Sequence, residues 1–331
     1  MNVAVVGATG AVGRKMVKVL EERKFCVDNL RLFASERSVG KRIEFFGEEI
    51  LVEKLSESSF SDVDIALFSA GTKISKEFAH IAVKAGAVVV DNSSCFRMEP
   101  DVPLVVPEVN PQDLEWHKGI IANPNCSTIQ MVVVLAPLNK CAKIKRVVVS
   151  TYQSVSGTGQ KAIDELRSQT EQIVRGEEVV PSVYPYQIAF NLFPHIDIFL
   201  ENGYTKEEQK MVAETKKIMG ADFGITATCV RVPVFVGHSE AVNIEFERPI
   251  TEVEAREILE SAEGVVVIDE VNKAEYPYPM MAEERDEVFV GRIRKDYSVP
   301  NGLNLWIVAD NLRKGAATNA VQIVEKIVAK A

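Results

Sequence analysis

Over the first third of the chain the apolar positions fall into short runs separated by helical spacing. Residues 3–6, Asn29–Ala34, 65–69 and 87–90 predict strands, and residues 11–23 and 76–85 predict helices between them. The run at 65–69 is bounded by Asp64 and Gly71, and the run at 87–90 leads into Asp91-Asn92-Ser93-Ser94. Strands alternating with helices predict parallel βαβ units and a doubly wound sheet.

Near residue 126 the pattern changes. Residues 127–139 predict a long apolar helix that Pro137 bends or ends. Longer strands follow over 146–154, 228–236, 241–247 and 264–269, with helices over Gln160–Arg175 and 206–220. Val242, Ile244 and Phe246 alternate with Asn243, Glu245 and Glu247, the pattern of a sheet with one wet face. The last segment, 314–330, sets Ala317, Val321, Val324, Ile327 and Val328 on one helical face, and it is expected to pack back onto the first domain. The expected class is α/β: a Rossmann-like doubly wound domain of residues 1–125 plus 311–331, and an α+β domain of residues 126–310 on a mostly antiparallel sheet.

A length of 331 residues suits two such domains. The net charge of −9, without any basic run, argues against nucleic acid as a partner. No apolar run approaches the roughly 18 residues of a membrane span, and strand-like sequence from Asn2 leaves no room for an export signal. Cys26, Cys95, Cys126, Cys141 and Cys229 are odd in number and contain no C-x-x-C pair. That pattern argues against a disulfide framework or a zinc site and points to a reducing cytoplasm with free thiols.

Two segments carry chemistry. Gly7-Ala8-Thr9-Gly10-Ala11-Val12-Gly13 follows the first strand and opens the first helix. Its spacing is a variant of the dinucleotide fingerprint: Gly7 reverses tightly, Gly10 admits a pyrophosphate, and Gly13 lets helix approach strand. Gly7, Thr9, Gly10, Ala11 and Val12 are its candidate cofactor contacts. The second strand runs into Ser35-Glu36-Arg37-Ser38, where a guanidinium and two hydroxyls suit a 2′-phosphate, so NADP is favoured, although Glu36 also reads as a ribose ligand. Further along, Asn123-Pro124-Asn125-Cys126-Ser127-Thr128 ends an extended segment and starts a helix. Free N–H groups and the helix dipole lower the pKa of a thiol in a first turn, which makes Cys126 a candidate nucleophile.

These two segments resemble the aspartate-semialdehyde dehydrogenase family. So do Ser94-Cys95-Phe96-Arg97-Met98, Tyr152-Gln153-Ser154-Val155-Ser156-Gly157, Glu207-x-x-Lys210 and the stretch from Arg231 to Gly237-His238-Ser239-Glu240. The resemblance runs in order along the whole chain. It implies a thioester on Cys126, His238 as general acid/base, and Gln153 orienting the substrate or acyl intermediate. It also implies Ser156, Gly157 and Asn311 near the nicotinamide, Asn125 and Glu207 at the substrate, and Arg97 with Lys210 on phosphate. Arg231, a charge on a valine-rich strand, suits a substrate carboxylate. By spacing alone, Glu207, Lys210, Glu214 and Lys217 read instead as a salt-bridged solvent face. The implied activity is NADPH-dependent reductive dephosphorylation of L-aspartyl 4-phosphate, in the biosynthesis of lysine, threonine, methionine and isoleucine. No metal is called for, and a homodimer through the second domain is implied. The alternatives are another acyl-phosphate or acyl-CoA reductase, or a catalytically silent homologue.

Overall fold

The computed structural model describes residues 1–329. The chain forms two compact units, Met1–Asn125 with the segment from Ala316 onward, and Cys126–Gly315. The boundary expected at 311 thus falls at 316. The intervening residues are tied into the second unit: Gly237 N donates to Asn311 Oδ1 and Glu284 N donates to Asp310 Oδ2, both at 2.9 Å.

In the first unit, β1 (Asn2–Val6), β2 (Asn29–Ala34), β3 (Arg42–Phe45), β4 (Glu48–Lys54), β5 (Ile65–Phe68), β6 (Val88–Asp91) and β7 (Ile120–Ala122) form one sheet. The order is β3-β4-β2-β1-β5-β6-β7, parallel except for the β3/β4 hairpin. Helices α1 (Ala11–Glu22) and α2 (Thr72–Lys84) are crossovers. β1 is buried from Val3 to Val6 because both faces are covered. Met16, Val17 and Leu20 of α1 join Val5 and Leu32 in a core that Ala320, Val321 and Val324 of the C-terminal helix complete. That helix spans Thr318–Val328 and is preceded by a π-helical turn over Arg313–Ala317, so it starts later than 314. Lys330, in the expected helix, lies outside the described residues.

β3 and β4 escaped the sequence pattern. Their charges (Arg42, Glu44, Glu48, Glu49) break the apolar runs, and their turn sets Phe46 at φ +48° and Gly47 at φ +78°. A phenylalanine at positive φ hides the usual hairpin signal of Asn, Asp or Gly.

The second unit opens with α3 (Cys126–Ala142), which is apolar around nearly its whole circumference and buried accordingly. Pro137 lies inside this helix and does not end it. There follow β8 (Ile144–Gln153), α4 (Gln160–Arg175), α5 (Lys206–Met219), β9 (Gly224–Arg231), β10 (His238–Phe246), α6 (Glu252–Glu260), β11 (Val265–Val267), α7 (Pro279–Ala282), β12 (Val288–Asp296) and β13 (Gly302–Ala309). The sheet order is β11-β12-β13-β10-β8-β9, antiparallel along its centre and parallel at β8/β9 and β11/β12. β9 stops at Arg231 rather than continuing to 236, because Pro233 has no N–H for a ladder.

Register places the polar side chains of this sheet in rows. Gln153 pairs with Arg231 across β8/β9, and the Ser239–Tyr152 pair sets His238 beside Gln153 at the end of the β8/β10 ladder. One step along the same face, Thr151 pairs with both Cys229 and Glu240. All six side chains are buried.

Candidate active site

In the first unit a cavity of about 460 Å³ lies beyond the carboxyl ends of the strands. Val6 and Gly7 line it from β1, Ala34 to Glu36 from β2, Lys54 and Leu55 from β4, and Ser69 and Ala70 from β5. Ligands of doubly wound sheets bind at such a crevice, where the strand order turns outward on both sides of β1. Gly7 sits at φ +86°, and a Cβ there would meet Ser69 O at 2.6 Å. A Cβ on Gly13 would meet Gly7 O at 2.2 Å, so the helix can approach the loop only with glycine at that position. Gly10 gives α1 no side-chain cap, and no acidic residue occupies its first turn, which leaves Ala11 and Val12 at an uncapped, electropositive helix start. These features fit a dinucleotide. Thr9 Oγ1 donates to Ser38 Oγ at 3.2 Å, and Ser35 lines the cavity, but Arg37 is exposed and does not. Glu36 lines the cavity with Lys54, the two paired at 3.1 Å. Lys54 had no sequence signal because β4 itself had none.

In the second unit Cys126 is the first residue of α3 and half-buried. Gly315, in the π-helical turn, lies against it: a Cβ on Gly315 would meet Cys126 Cβ at 2.9 Å. His238 opens β10 and is fully buried. Ser154 N donates to His238 Nδ1 at 3.1 Å. A backbone N–H can only donate, so the neutral ring accepts at Nδ1 and carries its proton on Nε2. Burial, and then the nearby Arg231 guanidinium, hold the imidazole well below its usual range and keep it neutral. Nε2 has no partner among the described residues. Gly157 keeps that edge open, since a Cβ there would lie 3.3 Å from Nε2 and 3.0 Å from Arg231 NH1. Asn311 Oδ1 accepts from Ser154 Oγ, Ser156 Oγ and Gly237 N at 2.9–3.1 Å, clamping the segments on both sides of His238. Ser154, missed in the sequence, is marked there only by its place after Gln153.

Gln153 Nε2 donates to Thr151 Oγ1 at 3.2 Å and, more loosely, to Glu207 Oε1 at 3.4 Å. Thr205 and Glu208 form the capping box that starts α5. The solvent-face reading of α5 is overturned: Glu207 and Glu214 are buried, because this helix lies over the sheet rather than presenting a charged face to water. Lys210 Nζ contacts Asp197 at 2.8 Å and Glu207 at 3.1 Å. Burial works against its charge, but Glu207 and Asp197 raise it above the ordinary lysine range. Arg231 is 5% exposed and donates from NH1 to Ser154 O at 2.5 Å. No carboxylate among the described residues pairs with it, so a substrate carboxylate has a ready partner. Arg97 and Asn125 belong to the first unit; Arg97 is buried and donates to Asn123 O at 2.9 Å and Asn92 O at 3.0 Å.

Residues 2–117 match the family model for the semialdehyde dehydrogenase NAD binding domain, and residues 135–314 match that for the semialdehyde dehydrogenase dimerisation domain. The chain is 61% identical to the aspartate-semialdehyde dehydrogenase of Aquifex aeolicus, over 99% of this chain and 98% of the relative. It belongs to the aspartate-semialdehyde dehydrogenase family. A crystal structure of aspartate semialdehyde dehydrogenase II from Vibrio cholerae, complexed with ASA, superposes with a TM-score of 0.97 at 51% identity, covering 99% of this chain and 98% of that one. The Candida albicans enzyme, solved with NADP, superposes with a TM-score of 0.77 at 25% identity, covering 99% and 98%. The doubly wound and mostly antiparallel architecture is that of the family.

Proposed function

We infer that this chain carries out the family's reaction, NADPH-dependent reductive dephosphorylation of L-aspartyl 4-phosphate to L-aspartate 4-semialdehyde and phosphate, through a thioester on Cys126. The observation that carries the reading is the buried row of Arg231, Gln153 and His238 in the unit that Cys126 opens. Arg231 takes the substrate α-carboxylate and Glu207 its ammonium group. Lys210 binds the phosphate. The Cys126 thiolate attacks the acyl carbon, and the tetrahedral adduct expels phosphate, which takes up the one proton of the net reaction. Gln153 holds the resulting acyl group. NADPH, when bound, supplies the hydride, with the dinucleotide on the loop from Gly7 to Gly13 and its 2′-phosphate toward Ser35 and Ser38. His238 offers its Nε2–H to the carbonyl oxygen as negative charge gathers there, and collapse of the thiohemiacetal returns the thiolate. The tautomer set by the Ser154 N–H supports this donor half of an acid/base role.

The dimerisation-domain match supports a homodimer through the second unit. No helix among the described residues is long and apolar enough to cross a membrane, and a cytoplasmic location is the expectation. Purified protein given L-aspartate 4-semialdehyde, phosphate and NADP⁺ should reduce the cofactor only when all three are present. Reduction without phosphate, or none with it, overturns the reading.

A further inference from the structure

Glu240 is a carboxylic acid with no exposed surface, and neither of its oxygens completes a hydrogen bond among the described residues. Burying such a group without partners is costly, so its presence calls for a reason. It lies two residues from His238 on the same face of β10, one row below the proposed site. Across from it, on α3, is Gln130, one helical turn from Cys126 and likewise fully buried. Gln130 Nε2 donates to the backbone oxygen of His238 at 3.4 Å. Its other end, Oε1, has no donor. Gln130 is also the polar side chain that bears on the Glu240 carboxyl, in a contact too loose for full hydrogen-bonding geometry.

We propose that Gln130 and Glu240 are a positioning pair that sets the register between the Cys126 helix and the His238 strand from one layer beneath the reacting atoms. The hydrogen-bonding inventory is complementary in one protonation state. With one amide N–H directed to His238 O, Gln130 still has a second N–H and its unpartnered Oε1 to present to Glu240, and a neutral carboxylic acid, which both donates and accepts, supplies the O–H that Oε1 lacks. Burial favours that form, holding Glu240 well above the usual carboxylate range. A link that fixes α3 on β10 controls the approach of thiol to carbonyl and of carbonyl oxygen to imidazole, and a misplacement of about 1 Å in such a geometry can cost on the order of 100-fold in rate. Both side chains are fully buried one row below the proposed site, so their loss is expected to act on turnover more than on binding.

The inference rests on the roles proposed for Cys126 and His238, and the test separates the two. Glu240→Leu and Gln130→Met each remove one half of the pair in the full-length enzyme, while Glu240→Gln keeps a donor toward Gln130. With aspartate semialdehyde, phosphate and NADP⁺, both apolar variants should lower kcat by about 10- to 100-fold. The KM values should move less than about twofold, and combining the two should cost little more than either alone. Glu240→Gln should recover most of the rate. If Glu240→Leu does not fold, Gln130→Met gives the same reading. Wild-type turnover in the apolar variants, KM changes as large as the kcat changes, or a Glu240→Gln as slow as Glu240→Leu each overturn the pair. An acyl adduct on wild-type Cys126, weighed by mass spectrometry, checks the underlying roles. Its absence removes those roles, whereas its presence alongside unchanged variant turnover removes only the pair.

Discussion

The two units build their proposed sites from different material. In the first, the ligand surface is mostly backbone: the glycines of the loop, an uncapped helix start and strand ends around a cavity. In the second it is side chains: a thiol at a helix start, and an arginine, an amide and an imidazole in one row on a sheet. A backbone site is damaged by adding atoms, and a side-chain site by removing them. The sharpest separation comes from Cys126→Ser. Turnover should fall by roughly 10³-fold or more, while NADPH affinity, read by titration of the reduced cofactor's fluorescence, should stay near wild type. Equal loss of both would mean that the division between units is not a division of labour.

Within the second unit, Lys210 and Arg231 should separate by reactant. Lys210→Ala should weaken phosphate, and Arg231→Leu the aldehyde, each by about 2 kcal/mol, or about 30-fold, because a bound anion loses its partner. Variants that impair both reactants equally would replace two anion sites with a shared one. Arg231 also bears on pH. His238 is held below its ordinary value of 6.5, first by burial and then by Arg231. As pH falls through that depressed value the ring gains a second proton at Nδ1, which opposes the Ser154 N–H, and activity should be lost. The acidic limb of kcat/KM should therefore lie below pH 6.5 in the wild type and move up toward 6.5, without reaching it, in Arg231→Leu, since burial remains. A limb unmoved by Arg231→Leu would remove the electrostatic contribution.

The sequence carried the architecture where period and burial agree. β2 and α4 fall at their expected bounds, and β1 and α1 differ by a residue at one end, because uniform apolar runs and strong helical spacing leave little choice. It failed where side-chain type and backbone conflict. β12 turns at Gly291, where a Cβ would meet Ile268 O at 2.2 Å, and then sets Arg292 at φ +53°, so the run has no readable alternation. The site was legible as separate motifs but not as an arrangement. Nothing local says that Glu207 is buried or that Ser154 faces His238, since both follow from β8 lying between β9 and β10. Gly315 and Glu240 have still less local signal, because their neighbours are distant in sequence.

Gly13→Ala tests the backbone side of the comparison. Alanine has the higher helix propensity, which by itself would stabilise α1. The added methyl would sit 2.2 Å from Gly7 O, a backbone atom that cannot swing aside, so the loop must move. Overpacking of this kind costs about 1–3 kcal/mol. The NADPH dissociation constant should rise about tenfold, with a lower melting temperature and little change in alkylation of Cys126. A variant that melts higher and binds NADPH normally would show that the helix start is not what holds the cofactor.

The smallest expected effect belongs to Arg37, the residue that in the sequence spoke most directly for a 2′-phosphate. It follows the second strand beside two serines, but the structure leaves it exposed, while Ser35, Glu36 and Lys54 line the cavity. An exposed cation on a mobile stem meets an anion in high dielectric and shares it with salt, so such pairs contribute about 0.2–1 kcal/mol. Arg37→Ala should therefore raise the KM for NADPH by less than about fivefold, leave that for NADH unchanged, and lose its effect in high salt. Lys54→Ala should cost more, because Lys54 lines the cavity and neutralises Glu36, whose carboxylate would otherwise repel a phosphate beside Ser35. If Arg37→Ala instead proves the more damaging of the two, with NADH unaffected, the side chain closes over the ribose on binding. That one corner of the first unit would then work as the second unit does, by side chains rather than by backbone.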